Sequence, residues 1–413
     1  MQASFDSVFP SASASPLRWN LAWMTFGNIA QAAAQWGIVV VLARLGSPHD
    51  VGAYALALAI VSPVFLFSNM HLRTLLATDI ARHTETGNYL TLRVTASATA
   101  TAFLFVGALA QASPQGLALV GLTVVKAFET ISELLYGEMQ RSEQMDRIGR
   151  SMIARWGGSL VATALVMYWS HSLLGCLTAM AAISAAVAAV DMQAVRASCR
   201  WSTWENVGRL AASAAPLGLL MLMVSLNASI PRYFLAGWDS PSAVGIFAAL
   251  SYISIALNTL VIATGQAAGT AMARSFWLGN RSSFMRQASK LIALALTLGL
   301  GGIGIALWCG KSILLLLYGV PFAAESKSFL WLMLAGALSY VVSALGYLLA
   351  AARCYYPQLP TLVLASACTA ACCWVWIPTH GVSGAAMAQS AGYGLQLVLS
   401  IGLLGYCTAR RFR

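Results

Sequence analysis

The chain has 413 residues, 59% of them hydrophobic and only 9% charged, with a formal net charge of +11. That balance excludes a soluble multidomain protein and leaves little chain for a catalytic domain outside a bilayer. The 24 basic residues are scattered through short loops without an aromatic-interleaved patch, which argues against nucleic acid as a partner.

The first 16 residues are rich in Ser and Ala and carry no positive charge before Arg18, unlike the start of a cleavable signal peptide. A spanning helix needs about 20 mostly apolar residues. Twelve such stretches follow, near 19–43, 51–72, 93–112, 114–137, 152–170, 173–195, 208–231, 241–265, 288–309, 325–351, 359–377 and 384–408. The expected fold class is therefore an all-α polytopic membrane protein with about 12 transmembrane helices. Pro63 and Pro216 fall inside spans and predict kinks.

Cytoplasmic loops are enriched in Lys and Arg. With twelve spans, one side collects nineteen basic residues, among them Arg73, Arg141, Arg147, Arg150, Arg274 and Arg286. The other side holds only Arg44, Arg232, Lys311 and Lys327, and Lys126 is left inside a span. The split places both termini in the cytoplasm.

A repeat supports two halves. The segment Gly46-Ser-Pro-His-Asp-Val-Gly-Ala-Tyr-Ala-Leu-Ala-Leu-Ala-Ile60 opens the second span, and Asp239-Ser-Pro-Ser-Ala-Val-Gly-Ile-Phe-Ala-Ala-Leu-Ser-Tyr-Ile253 opens the eighth. Six of the fifteen aligned positions are identical. Six spans separate the copies, so both enter the membrane from the same side, and the halves are expected to be related by an axis along the membrane normal. The division expected is a cytoplasmic tail (1–18), an N-lobe (19–200) and a C-lobe (201–413).

Polar residues within spans are the candidate site. Lys126, Glu129 and Glu133 lie three, four and seven apart, on one helical face. Each bare charge at membrane depth costs about 2.5–3.5 kcal/mol, so such residues face a cavity or one another. One reading is a hydrated cavity where Lys126 attracts an anion and the glutamates titrate or bind a coupling cation. The other is a self-neutralising Lys126–Glu129 pair, with Glu133 near the interface. Asn28, Gln31 and Gln35 form a polar stripe on the first span, suited to a cavity wall or to hydrogen bonds between helices. Asn227 and Arg232 close the seventh span, where Arg232 either guides an anionic headgroup or snorkels.

The eight cysteines (176, 199, 309, 354, 368, 372, 373 and 407) mostly occupy apolar runs and lack metal-ligand spacing, so structural disulfides are not expected. No P-loop, HExxH or other enzyme signature is present.

Taken in order, several motifs resemble polysaccharide flippases of the multidrug/oligosaccharidyl-lipid/polysaccharide (MOP) superfamily. They are Gly27-Asn28 through Gln35-Trp36, Leu42-Ala-Arg-Leu-Gly46, Leu72-Arg73 with Ala77-Thr78-Asp79, Leu134-Leu135-Tyr136-Gly137 with Gln140-Arg141, Pro231-Arg232-Tyr233-Phe234-Leu235, and Gly381-Val382-Ser383-Gly384. The resemblance implies a fold like that of the MATE transporters, with two six-helix lobes around a central cavity that opens alternately to either side of the bacterial inner membrane. It implies a polyprenyl-pyrophosphate-linked oligosaccharide as cargo for exopolysaccharide, capsule or O-antigen synthesis. The implied partners are membrane lipids, a polysaccharide polymerase and chain-length or export components. No cofactor is implied beyond a coupling H+ or Na+, and Arg73 joins Lys126 as a cation on the diphosphate's path. Acidic residues that drug exporters of the superfamily carry on the first span are absent. The alternatives are a cation-coupled drug or metabolite exporter, a membrane-embedded polysaccharide polymerase or ligase, and a non-transporting scaffold.

Overall fold

The computed structural model describes residues 17–412 apart from 79–84, 112–113, 196–203, 353 and 355–356, and these are helical with short turns and no strand. Most of the 1–18 tail, the expected lobe boundary at 200/201, Cys199, and the charges Asp79, Arg82, Arg196, Arg200, Arg353 and Arg413 lie outside the described residues. The first half comprises α1 (Leu17–Leu45), α2 (Pro48–Asn69), the short α3 (Leu72–Thr78), α4 (Thr86–Gln111), α5 (Pro114–Arg141), α6 (Met145–Ser170) and α7 (Leu173–Val195). The second comprises α8 (Trp204–Trp238), α9 (Pro241–Trp277), α10 (Arg281–Leu317), the single turn α11 (Val320–Ala323), α12 (Ser326–Ala351) and α13 (Gln358–Phe412).

The 55-residue α13 is two spans. Its backbone leaves helical geometry at Gly381 (φ 54, ψ −127), three residues after Pro378, which itself removes a helical donor. Cys354 lies just before α13 and is bonded to Cys407 near its far end, so the two ends lie side by side and the chain reverses at Gly381. With α3 and α11 set aside, this makes twelve crossings in two sets of six, as the hydropathy predicts. The Cys354–Cys407 bond corrects the expectation that no disulfide forms. Both residues sit at the ends of the hairpin, beyond its apolar middle, and its fold-back joins positions 53 residues apart.

Helices α9 and α10 are longer than the apolar stretches suggest, at 37 residues each. At 1.5 Å per residue such a helix reaches about 55 Å, against about 30 Å of hydrocarbon. The surplus carries Arg274, Arg281, Arg286 and Lys290 at the arginine-rich end of the molecule.

The lobes meet where the repeat was read. Ser47 is the N-cap of α2, accepting a hydrogen bond from the Asp50 amide at 3.2 Å, and Ser240 caps α9 through the Ala243 amide at 3.2 Å. Pro48 and Pro241 follow as first helical residues, where the missing N–H costs nothing. The two helix starts press together at the arginine-poor end. A β-carbon on Gly52 would run into the Pro241 carbonyl, and one on Gly245 into the Pro48 carbonyl. Residue i of one copy thus meets j of the other and the reverse, the signature of a two-fold contact. Trp36 Nε1 donates to Tyr318 Oη at 2.8 Å nearby. Arg44 also caps the last turn of α10, donating to the carbonyls of Leu315 (2.8 Å), Leu316 and Leu317 (3.1 Å).

Replacing Gly52 or Gly245 with Leu is expected to wedge the lobes apart at the arginine-poor end and to lower stability by about 1–3 kcal/mol, the usual cost of overpacking. Gly346, beside which nothing lies within 4 Å of a built β-carbon, is the control. Thermal melts of the purified variants in detergent check this, and unchanged melting for Gly52→Leu and Gly245→Leu contradicts it.

Candidate functional site

A cavity of about 190 Å³ lies between the lobes. Five N-lobe helices build most of its wall: α1 gives Gln35, α2 gives Tyr54 and Ser62, α5 gives Lys126 and Glu129, α6 gives Trp156, and α7 gives Met180. From the C-lobe only Tyr252 of α9 lines it. Lys126 Nζ lies 2.9 Å from Glu129 Oε2 and 5.9 Å from the centroid of the Trp156 ring. The helical spacing of three turns both charges to the same side. The two residues neutralise one another, and they do so at the wall of a cavity.

The remaining candidates are distributed around this centre. Glu133, one turn along α5, acts electrostatically on His71 and Arg93 as well as on Lys126. Gln31 is half-buried and Asn28 exposed, and neither lines the cavity. Arg73 lies 5.4 Å over the Tyr136 ring, away from the cavity. Asn227 is buried in the C-lobe, where its Nδ2 donates to Gln396 Oε1 at 3.4 Å and its Oδ1 accepts from Thr369 at 3.5 Å. Arg232 is buried at 8% exposure, its Nε without a hydrogen-bond partner among the described residues. It therefore does not snorkel. Its charge acts on Tyr252, as that of Lys126 does.

Sequence reasoning missed the aromatic wall of Tyr54, Trp156 and Tyr252, because aromatic residues in apolar spans carry no distinguishing period. It also counted Arg93 and Arg155 as loop charges, whereas both are inside the N-lobe at 1% and 3% exposure. Arg155 of α6 lies 3.4 Å from Asp191 of α7, whose Oδ2 accepts from Ser151 at 2.9 Å, and Ser151 contacts Tyr136 Oη at 2.7 Å. An acidic residue inside the 173–195 stretch was the available signal. Among the described residues no cluster of His, Cys, Asp and Glu has the arrangement of a metal site.

The chain matches no protein-family model. It is similar to the capsular polysaccharide biosynthesis protein CapF of Staphylococcus aureus, 23% identical over 383 residues that cover 89% of this chain and 94% of that protein. Among solved structures it resembles an inward-facing multidrug resistance MATE transporter of the MOP superfamily (TM-score 0.76, 12% identity, 92% of this chain and 94% of that one). It also resembles the lipid II flippase MurJ in an inward closed conformation (TM-score 0.75, 10% identity, 95% and 90%). The chain has the fold these transporters share, and the likeness to MOP proteins read from its motifs extends over nearly its whole length.

Asp191→Ala is expected to strand the Arg155 guanidinium in the N-lobe and cost about 3–5 kcal/mol, as breaking a buried pair does. Adding Arg155→Met removes the uncompensated charge, so the double variant recovers most of that loss. Melting temperatures of the single and double variants in detergent are the measurement, and a double variant no more stable than Asp191→Ala contradicts the pairing.

Proposed function

We propose that this protein with the MATE and MurJ fold is a flippase carrying lipid-linked oligosaccharide across the bacterial inner membrane for capsular or related polysaccharide synthesis. The observation that carries the reading is the cavity with Lys126 at its wall, closed on the C-lobe side by Tyr252, on which the charge of the buried Arg232 also acts. A phosphorylated headgroup crossing hydrocarbon needs cations along its path, because a bare charge there is costly. The polyprenyl tail needs none and stays in the bilayer. The name of the staphylococcal relative supports the pathway, and that of the MurJ neighbour supports a lipid-linked cargo.

The mechanism is alternating access of two lobes around one site. In the unloaded cavity Glu129 neutralises Lys126. An arriving diphosphate replaces that carboxylate as the partner of the ammonium. Glu129 and Glu133 are then the groups through which a coupling H+ or Na+ acts. The excess of basic residues in alternate loops supports a cytoplasmic position for both termini. A polymerase and chain-length components take the cargo at the other face.

Lys126→Ala is expected to abolish polysaccharide output in the native host while the protein inserts in normal amount. Immunoblots of membranes and staining of the extracted polymer check both. Wild-type output from a normally inserted variant overturns the reading.

A further inference from the structure

The cavity holds more kinds of group than a diphosphate requires. A phosphate needs cations and N–H donors. Here Lys126 is accompanied by a carboxylate (Glu129), a carboxamide (Gln35) and the rings of Trp156, Tyr54 and Tyr252. Trp156 is 6% exposed, with its ring beneath the Lys126 ammonium. A sugar ring has an apolar face of C–H groups and an edge of hydroxyls. The face suits an indole, which offers a large flat apolar surface. Hydroxyls both donate and accept, so their edge suits a carboxylate beside a carboxamide. Size narrows the choice, since a cavity of about 150 Å³ admits one benzene ring. At about 190 Å³ this one takes a single ring and no oligosaccharide.

Resting on the lipid-linked saccharide reading above, we infer that the cavity receives the first monosaccharide of the headgroup, stacked on Trp156. Glu129 and Gln35 meet its hydroxyls, and Lys126 holds the phosphate that joins it to the lipid. The recognised unit is the phosphate–sugar junction, and the remaining sugars lie outside the cavity. Trp156 thus selects sugar-bearing lipid over the sugar-free polyprenyl diphosphate.

The test is equilibrium binding to full-length protein in lipid nanodiscs. The probes are undecaprenyl diphosphate and its glucose-, galactose- and N-acetylglucosamine-linked forms. Wild-type protein is expected to bind at least one sugar-linked form about tenfold more tightly than the sugar-free lipid, a difference of about 1.4 kcal/mol. Trp156→Leu removes that preference by weakening the sugar-linked forms more than undecaprenyl diphosphate, and Trp156→Tyr, which keeps a ring, restores most of it. Equal wild-type affinity for all four lipids overturns the inference, as does Trp156→Leu weakening all four alike while Trp156→Tyr does the same. Lys126→Ala separates this from the parent reading. It should weaken every lipid, and if it weakens none, or if wild-type protein binds none, the flippase assignment fails together with the inference.

Discussion

An ammonium group held at membrane depth costs about 2.5–3.5 kcal/mol, and the centre of this structure is organised by the way that cost is offset for Lys126. A carboxylate at 2.9 Å, an indole face at 5.9 Å and the open volume of a cavity all lie around it. The carboxylate comes from the same helix, but the indole face and the open volume are not available on a lipid-facing surface. The charged face of α5 must therefore turn inward, which places α5 between α2 and α7 and brings the cavity to the lobe boundary. Arg232 of the other lobe is likewise buried, and its charge acts on Tyr252.

The two lobes share a backbone plan but not an electrostatic one. Their equivalence is plain at Gly52 and Gly245, where each helix start occupies the space a side chain on the other would need. Away from that axis the halves diverge. The N-lobe core is ionic, with Arg155 against Asp191 and Arg141 against Glu138. The C-lobe core holds neutral amides and hydroxyls, Asn227 with Gln396 and Thr369, beside the buried Arg232. A cavity between such lobes is lopsided, with nearly all its wall from one side. On the flippase reading proposed above, the ligand would meet mainly N-lobe groups, with Tyr252 as the C-lobe contribution.

How far this was legible in the sequence follows from which signals are local. Twelve spans, the Ser-Pro helix starts and the charged face of α5 each depend on residues close in sequence, so hydropathy and helical spacing reach them. Lys126, Glu129 and Gln35 come together at the cavity because each lies on a polar stripe that lipid would reject. Asn28 and Gln31 share the stripe of Gln35 and still miss the cavity, since the period gives the face of a helix and not the depth at which a neighbour covers it. Arg73 has the charge expected of a path residue, yet it rests on Tyr136, a contact fixed by the approach of α3 to α5. Cys354 and Cys407 meet only because α13 doubles back at Gly381. Trp156 was hidden for a further reason: an aromatic residue in an apolar span looks the same whether it faces lipid, core or cargo.

The contacts joining the lobes differ in what breaking them costs. The glycine contact of α2 with α9 involves backbone alone, so one helix can roll on the other without stranding a polar group. At the same end Trp36 donates to the Tyr318 hydroxyl, and Arg44 to backbone carbonyls at the end of α10. Each such bond is worth about 0.5–1.5 kcal/mol net, and Arg44 is exposed, so water replaces its carbonyl partners as soon as they part. Rocking the lobes about the glycine axis would break these few polar links and also slide apolar side chains past one another, because one buried cluster runs from Ile38 and Val61 of the N-lobe to Phe247 and Leu314 of the C-lobe. Arg155 and Asp191, wholly inside one lobe, move with it as a unit. Among the described residues the ionic contacts lie within a lobe, whereas the lobes meet through apolar packing of α2 against α8 and α9 and through a few hydrogen bonds, so parting them leaves no buried ion pair broken.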